Sequence, residues 1–169
     1  MDLGDLISPE AIFPSLKAKS KKQALHELAQ RAAGLAGLEE RTIYDTLLQR
    51  ENLGSTGVGR GIAIPHGRVA ALRKIVTLFA RLDEPIEFES LDNEPVDLIF
   101  LLLAPEHAGA DHLKALARIS RLLREPASIE RLRAPHSARQ ASTAGGVPRP
   151  WISPNWSGWR RSSRAPTTR

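Results

Sequence analysis

The sequence predicts an α/β layered domain, and three observations carry that expectation. Segments 20–37, 40–51 and 110–124 repeat apolar residues at helical spacing. Val96 to Leu103 is apolar almost throughout, as a central strand covered on both faces must be. Helices lie on both sides of that strand in the chain, so a buried sheet with helices over it is the simplest packing.

The first helix opens at Ser20-Lys21-Lys22-Gln23, which has the form of a capping box. Ala24, Leu25, Leu28, Ala29, Ala32 and Ala33 follow at helical spacing, and Gly34 or Gly37 ends the run. A second helix from Glu40 to about Glu51 buries Ile43, Leu47 and Leu48. Leu53 to Gly61 holds four glycines and no helical pattern, and Ile62-Ala63-Ile64 is strand-like. Ile75 to Leu82 reads as a strand, and Asp83-Glu84-Pro85 as a turn after it. Ala110 to Arg124 is an amphipathic helix expected to turn Leu113, Leu116, Ala117, Ser120 and Leu123 inward. Pro126 starts a last short helix through Leu132.

The 169 residues suffice for one domain. There is no cysteine, which excludes a disulfide framework, a thiolate nucleophile and a cysteine metal site. The acidic start Met1-Asp2-Leu3-Gly4-Asp5 lacks an apolar signal core, and the longest apolar run, Leu98 to Ala104, is far too short for a membrane helix. A cytoplasmic protein with no membrane insertion is expected. The charge of +5 is uneven. Residues 1–133 hold 18 Lys and Arg against 19 Asp and Glu, a net of −1, whereas 134–169 hold six Arg and no acid, a net of +6. That last stretch also carries all three tryptophans and five of the twelve prolines, without periodic apolar residues. It reads as a basic, largely disordered tail, native or the product of a shifted reading frame, appended to a domain of residues 1–133. No specific nucleic-acid partner is expected of the near-neutral body, although a basic tail can grip phosphates non-specifically.

Of the five histidines, two stand out by context. His66 follows a strand-like trio and a proline and precedes Gly67, so it is held at a strand end with an approachable backbone. A neutral imidazole is a competent nucleophile near pH 7. His112 lies in the first turn of its helix, where unpaired amides and the helix dipole favour an anion. His26 reads as a solvated surface residue, His107 as a loop residue and His136 as part of the tail. The run Gly54-Ser55-Thr56-Gly57-Val58-Gly59-Arg60-Gly61 lacks the Gly-Lys-Ser/Thr ending of a Walker loop. It also follows a helix and opens a strand, the reverse of a dinucleotide loop. It reads as a flexible backbone whose amides could line a phosphate site, with Arg50 and Arg60 beside it. No metal is expected, since His107 and His112 are five apart and no carboxylate sits at ligand spacing. A serine hydrolase lacks its Gly-x-Ser-x-Gly elbow.

The stretch from Arg50 to Gly67 resembles the phosphorylation-site signature of fructose/mannitol-type enzyme IIA domains of the bacterial phosphotransferase system, most of all the nitrogen-regulatory branch. Leu91-Asp92-Asn93-Glu94-Pro95-Val96-Asp97-Leu98 and His112-Leu113-Lys114-Ala115-Leu116 agree with it. The resemblance implies a three-layer α/β/α sandwich with a mixed sheet. It implies that His66 is the phosphoacceptor at Nε2 and that His112 and Arg50 match its active-site partners. Gly54, Ser55, Thr56, Gly57, Gly59, Gly61 and Gly67 would form the phosphate cradle and docking rim. The donor would be a phosphorylated HPr-type carrier, itself charged through an enzyme I from phosphoenolpyruvate, and no cofactor is needed. Nitrogen-type members regulate target proteins of nitrogen, potassium or carbon metabolism by phosphorylation state; sugar-type members pass the group to an enzyme IIB. A binding module never phosphorylated is a third possibility. The resemblance fails after about Arg133, where the family continues with a leucine-bearing helix and this chain has Pro135, a departure that predicts reduced stability or solubility.

Overall fold

The computed structural model describes residues 7–133, and the tail lies outside the described residues. Strand β1 (Ile12–Leu16) is followed by helices α1 (Lys21–Ala36) and α2 (Glu40–Asn52). Three short strands come next: β2 (Gly57–Gly59), β3 (Ile62–Ala63) and β4 (His66–Arg68). The long strands β5 (Val76–Ile86) and β6 (Val96–Ala104) lead into helices α3 (Ala110–Leu122) and α4 (Pro126–Arg133).

The six strands form one mixed sheet in the order β1-β5-β6-β3-β2, with β4 also on β6. Antiparallel β5 and β6 make the centre, paired from Val76–Leu103 to Ile86–Val96. β1 runs parallel to β5, and β2 antiparallel to β3. On the other side of β6, β3 pairs with Leu98 and Ile99 and β4 with Leu102 to Ala104, both parallel. Alternation along β6 divides the core in two. Ile99, Leu101 and Leu103 meet Leu25 and Leu28 of α1 and Ile43 and Leu47 of α2. Leu98, Phe100 and Leu102 meet Ala115, Ile119, Ile129 and Leu132 of α3 and α4. The cross-strand pair Phe79–Phe100 belongs to this second face, with ring centroids 4.8 Å apart. The α/β/α sandwich and its mixed sheet are therefore as expected.

Local chemistry explains the ends. Ser20 Oγ accepts from the Gln23 amide at 3.1 Å, and Gln23 reaches back to the amide of Lys19, one residue before the cap. Gly37, at φ 68°, closes α1 in the left-handed conformation. Four expectations need correction. The Asp83-Glu84-Pro85 turn is absent: β5 continues through it to Ile86, with a register shift after Arg81. No element was expected at residues 12–16, yet the strand Ile12–Leu16 forms there; it holds Pro14 and sits at the sheet edge, where proline is tolerated. The helical period of α3 holds, with Leu123 buried and Leu116 packed against the core as expected, but the deepest positions before Leu123 are His112, Ala115 and Ile119 rather than Leu113, Ala117 and Ser120. His112, Ala115, Ile119 and Leu123 face inward, while Ala117 is exposed and Leu113 is 64% exposed. The glycine run is a clasped hairpin rather than a flexible loop. Ser55 Oγ donates to Phe88 O at 2.8 Å, the Leu91 amide bonds Gly57 O, and the Arg60 amide bonds Asp92 Oδ2 at 2.9 Å. Gly57 lies so close to Ser90 that a Cβ there would meet its Cα at 3.0 Å.

One close approach sets the site. Gly67 of β4 lies under Thr46 of α2, and a Cβ at Gly67 would come within 2.5 Å of Thr46 Cγ2. Thr46 and Arg50 are four residues apart, so they share a helix face. The helix lies flat on β4 only because position 67 has no side chain. We expect Gly67→Ala to cost about 1–3 kcal/mol through overpacking in urea unfolding, and Thr46→Ala to restore part of the loss.

Candidate functional site

The site forms where α2, β4 and α3 converge beside the end of β6. Pro65 supplies no amide, and its carbonyl accepts from the Leu102 amide at 3.0 Å. This anchors the chain to β6 between β3 and β4 and delivers His66 half-buried at the first position of β4. α2 brings Arg50 over the imidazole from one side. Gly109, at φ 50° and ψ −120°, turns the chain into α3 through a conformation suited to glycine. His112 then points into the interior, 6% exposed, with its ring centroid 5.9 Å from that of His66.

The two ring nitrogens of His66 are distinguished by their partners. Nδ1 is 2.8 Å from the carbonyl of Ile64. A carbonyl only accepts, so Nδ1 carries the proton. Nε2 is left with its lone pair, toward which Nε–H of Arg50 donates at 3.2 Å. Arg50 Nη1 donates in turn to Gly54 O at 2.9 Å, which fixes the guanidinium plane. Burial lowers the pKa of His66 below its ordinary value of 6.5, and the Arg50 charge adds to this, against the raising effects of the Ile64 carbonyl and the Glu51 charge. His112 is lowered as well, by burial first, then by repulsion from His66 when that ring is protonated, and by the Arg68 charge. Nδ1 of His112 is buried without a hydrogen-bond partner among the described residues. The arrangement is a neutral imidazole with one available nitrogen, flanked by a cation and a second imidazole. It can attack an electrophile at Nε2 and hold the anionic product.

Three of the anticipated site residues, Arg50, His66 and His112, come together, and Gly54 and Gly67 serve them by fixing Arg50 and admitting α2. The glycine run offers fewer amides for a cradle than expected, because several of its donors are already engaged. The amide of Gly54 bonds Glu51 O, that of Thr56 bonds Glu51 Oε1, and that of Gly57 bonds Ser55 Oγ. Gly59 packs on Asp92, and Gly61 on Asp97 and Arg133. Arg60 is likewise committed elsewhere: its Nη1 donates to Arg124 O and its carbonyl accepts from Arg133. His26 is exposed beside Glu40 and Tyr44, and His107 is exposed in a short turn; His136 lies outside the described residues. Glu51 is the residue that sequence reasoning missed. It is 6% exposed and binds Thr56 twice. The signal was present, since Ile43, Leu47 and Glu51 continue one helix face at intervals of four.

The family described as phosphoenolpyruvate-dependent sugar phosphotransferase system, EIIA 2, matches residues 5–142. The chain is 60% identical over 148 residues to a nitrogen regulatory protein of Bradyrhizobium diazoefficiens, covering 88% of this chain and 97% of that one. It is 36% identical over 138 residues to the nitrogen regulatory protein of Escherichia coli, covering 81% and 85%. The crystal structure of nitrogen regulatory protein IIA-Ntr from Neisseria meningitidis superposes with a TM-score of 0.76 at 34% identity, covering 82% of this chain and 95% of that one. No helix among the described residues is long and apolar enough to cross a membrane. With the family match spanning residues 5–142 and a relative 60% identical over 88% of the chain, the chain belongs to the EIIA 2 family of the phosphoenolpyruvate-dependent sugar phosphotransferase system.

Proposed function

We propose that this protein carries a phosphoryl group on Nε2 of His66, takes it from a phosphorylated HPr-type protein, and regulates target proteins by its phosphorylation state. The observation that carries the reading is the fixed tautomer of His66, which presents one lone pair between Arg50 and His112. The Nε2 lone pair attacks phosphorus in line as the P–N bond to the donor imidazole breaks, and the donor ring leaves with the electron pair. The charge that develops on the His66 ring is held by Ile64 O through Nδ1–H. Arg50, freed from the Nε2 lone pair, donates to the phosphoryl oxygens. His112 faces the same oxygens. Donor and acceptor are both imidazoles, so the transfer is near balance and reversible, as regulation by carrier load requires.

The regulatory role is supported by the nitrogen regulatory relatives, one of them 60% identical across nearly its whole length. The family description names a sugar phosphotransferase system, so a sugar-specific role is the rival. It shares the chemistry at His66 and differs in the acceptor. A phosphoprotein that passes its group to an enzyme IIB would favour the rival, and one that instead changes its affinity for a cytoplasmic target would favour regulation.

Incubation with phosphoenolpyruvate, enzyme I and the HPr-type carrier is expected to add one acid-labile phosphate, read by mass spectrometry, and His66→Ala should abolish it. Retained label in that variant would overturn the reading. Arg50→Ala is expected to slow uptake by about 10²–10³-fold, the usual loss for one electrostatic donor. The lowered pKa of His66 fixes the pH dependence. The reactive neutral form persists below pH 6.5, so the rate stays flat from pH 8 down through about 6.5 and falls only at lower pH. The unfolded chain binds protons at His66 and His112 before the folded one does. Stability is therefore full above about 6.5 and declines as pH falls through the folded-state values. Urea titrations at a series of pH values check the sign: stability rising as pH falls from 7 to 5 would contradict it.

A further inference from the structure

Glu51 turns away from the surface as its neighbour Arg50 turns toward His66. Its buried carboxylate accepts from the Thr56 amide at 2.9 Å, from Thr56 Oγ1 at 2.6 Å, and from Lys21 Nζ at 2.8 Å. An apolar side chain would continue the Ile43–Leu47 stripe, and a buried ion pair is a poor source of stability against such a replacement. What the carboxylate supplies is geometry. Thr56, held by Glu51, accepts the Ile64 amide on its carbonyl at 2.9 Å. Ile64 O in turn accepts Nδ1–H of His66, and Arg50, joined to Glu51 through the backbone, donates to Nε2 of the same ring. A second tie runs through Gly54, whose amide bonds Glu51 O and whose carbonyl holds the Arg50 guanidinium. Both faces of the reaction are thus tied to one residue, in a closed circuit Arg50–Glu51–Thr56–Ile64–His66.

We propose that Glu51 is a positioning residue for phosphoryl transfer, locking Thr56 and thereby aligning Arg50 and the Ile64 carbonyl on opposite nitrogens of His66. This rests on the reading of His66 as phosphoacceptor. It assigns Glu51 no contact with the phosphoryl group. Its effect passes through Arg50 and through the tilt of the imidazole, so it must couple to Arg50.

Glu51→Gln keeps the shape and removes the charge, and Thr56→Val keeps the charge and removes the hydroxyl. Each is measured in the full chain for uptake rate from the HPr-type donor, for melting temperature and for the imidazole resonances of His66. Glu51→Gln is expected to slow uptake by about tenfold, a loss typical of small misalignment. In an Arg50→Ala background the same change should cost clearly less than it does alone, since the share that passes through Arg50 is already lost and coupled residues are not additive. An unchanged rate, or an equal loss in both backgrounds, overturns the proposal. If Glu51→Gln does not fold, Thr56→Val takes its place in the same cycle with the same criteria. The resonances separate this proposal from the larger reading. Even if no phosphoryl group is taken up by any form, a shift of the His66 ring signals in Glu51→Gln supports the circuit, and unmoved signals refute it.

Discussion

The hydrogen bond from Nδ1–H of His66 to the Ile64 carbonyl, 2.8 Å long, is the constraint on which the site depends. Without it the imidazole could exchange tautomers and rotate, and neither nitrogen would be reserved as the nucleophile. The bond spans two residues, and the main chain around it is held to β6. The Leu102 amide binds the Pro65 carbonyl, while Pro65 itself has no amide to donate. β3 and β4 follow one edge of β6 in the same register, Ile62 opposite Leu98 and His66 opposite Leu102. A buried sheet, rather than a surface loop, therefore sets the orientation of the reactive ring.

The layers supply what the strand cannot. α2 approaches β4 closely at Gly67 and so brings Arg50 to Nε2; α3 enters through Gly109 and so brings His112 from the opposite helical layer. Half-burial of His66 lowers its basicity, which keeps the lone pair available around neutral pH. On the proposed reading, the same burial would disfavour a doubly charged phosphoryl group left alone, and Arg50 would offset that cost as a cation in place beforehand.

The layered fold was legible because the amphipathic helices and the run from Val96 to Leu103 have unambiguous periods. The phase of α3 was not. Leu113 and Ala117 look like core residues in the sequence, but His112 occupies the inward stripe, and only its packing against His66 and the β6 face decides the rotation. Residues 83–85 looked like a turn because acid-acid-proline is turn chemistry; they stay within β5, in the irregularity between the Arg81–Leu98 and Ile86–Val96 pairs. At the site, local chemistry singled out His66 and His112 and placed Arg50 beside the glycine run, and the resemblance alone implied that the three act together; the structure brings them side by side. The glycine run misled in one respect. Glycines read as freedom, whereas here they permit close approach to Ser90, Asp92 and Asp97 and make a tight hairpin. Glu51 was hidden because a glutamate at a helix end normally faces water, and its burial depends on partners far away in sequence, Lys21 above all.

On the proposed reading, Nε2 of His66 carries the phosphoryl group because Nδ1 is committed to the Ile64 carbonyl. This is tested most directly on the phosphorylated protein with 15N-labelled histidine, by finding which ring nitrogen shows scalar coupling to 31P. Coupling to Nε2 of His66, with Nδ1 still protonated, is the predicted result. Coupling to Nδ1 of His66, or to either nitrogen of His112, would contradict it.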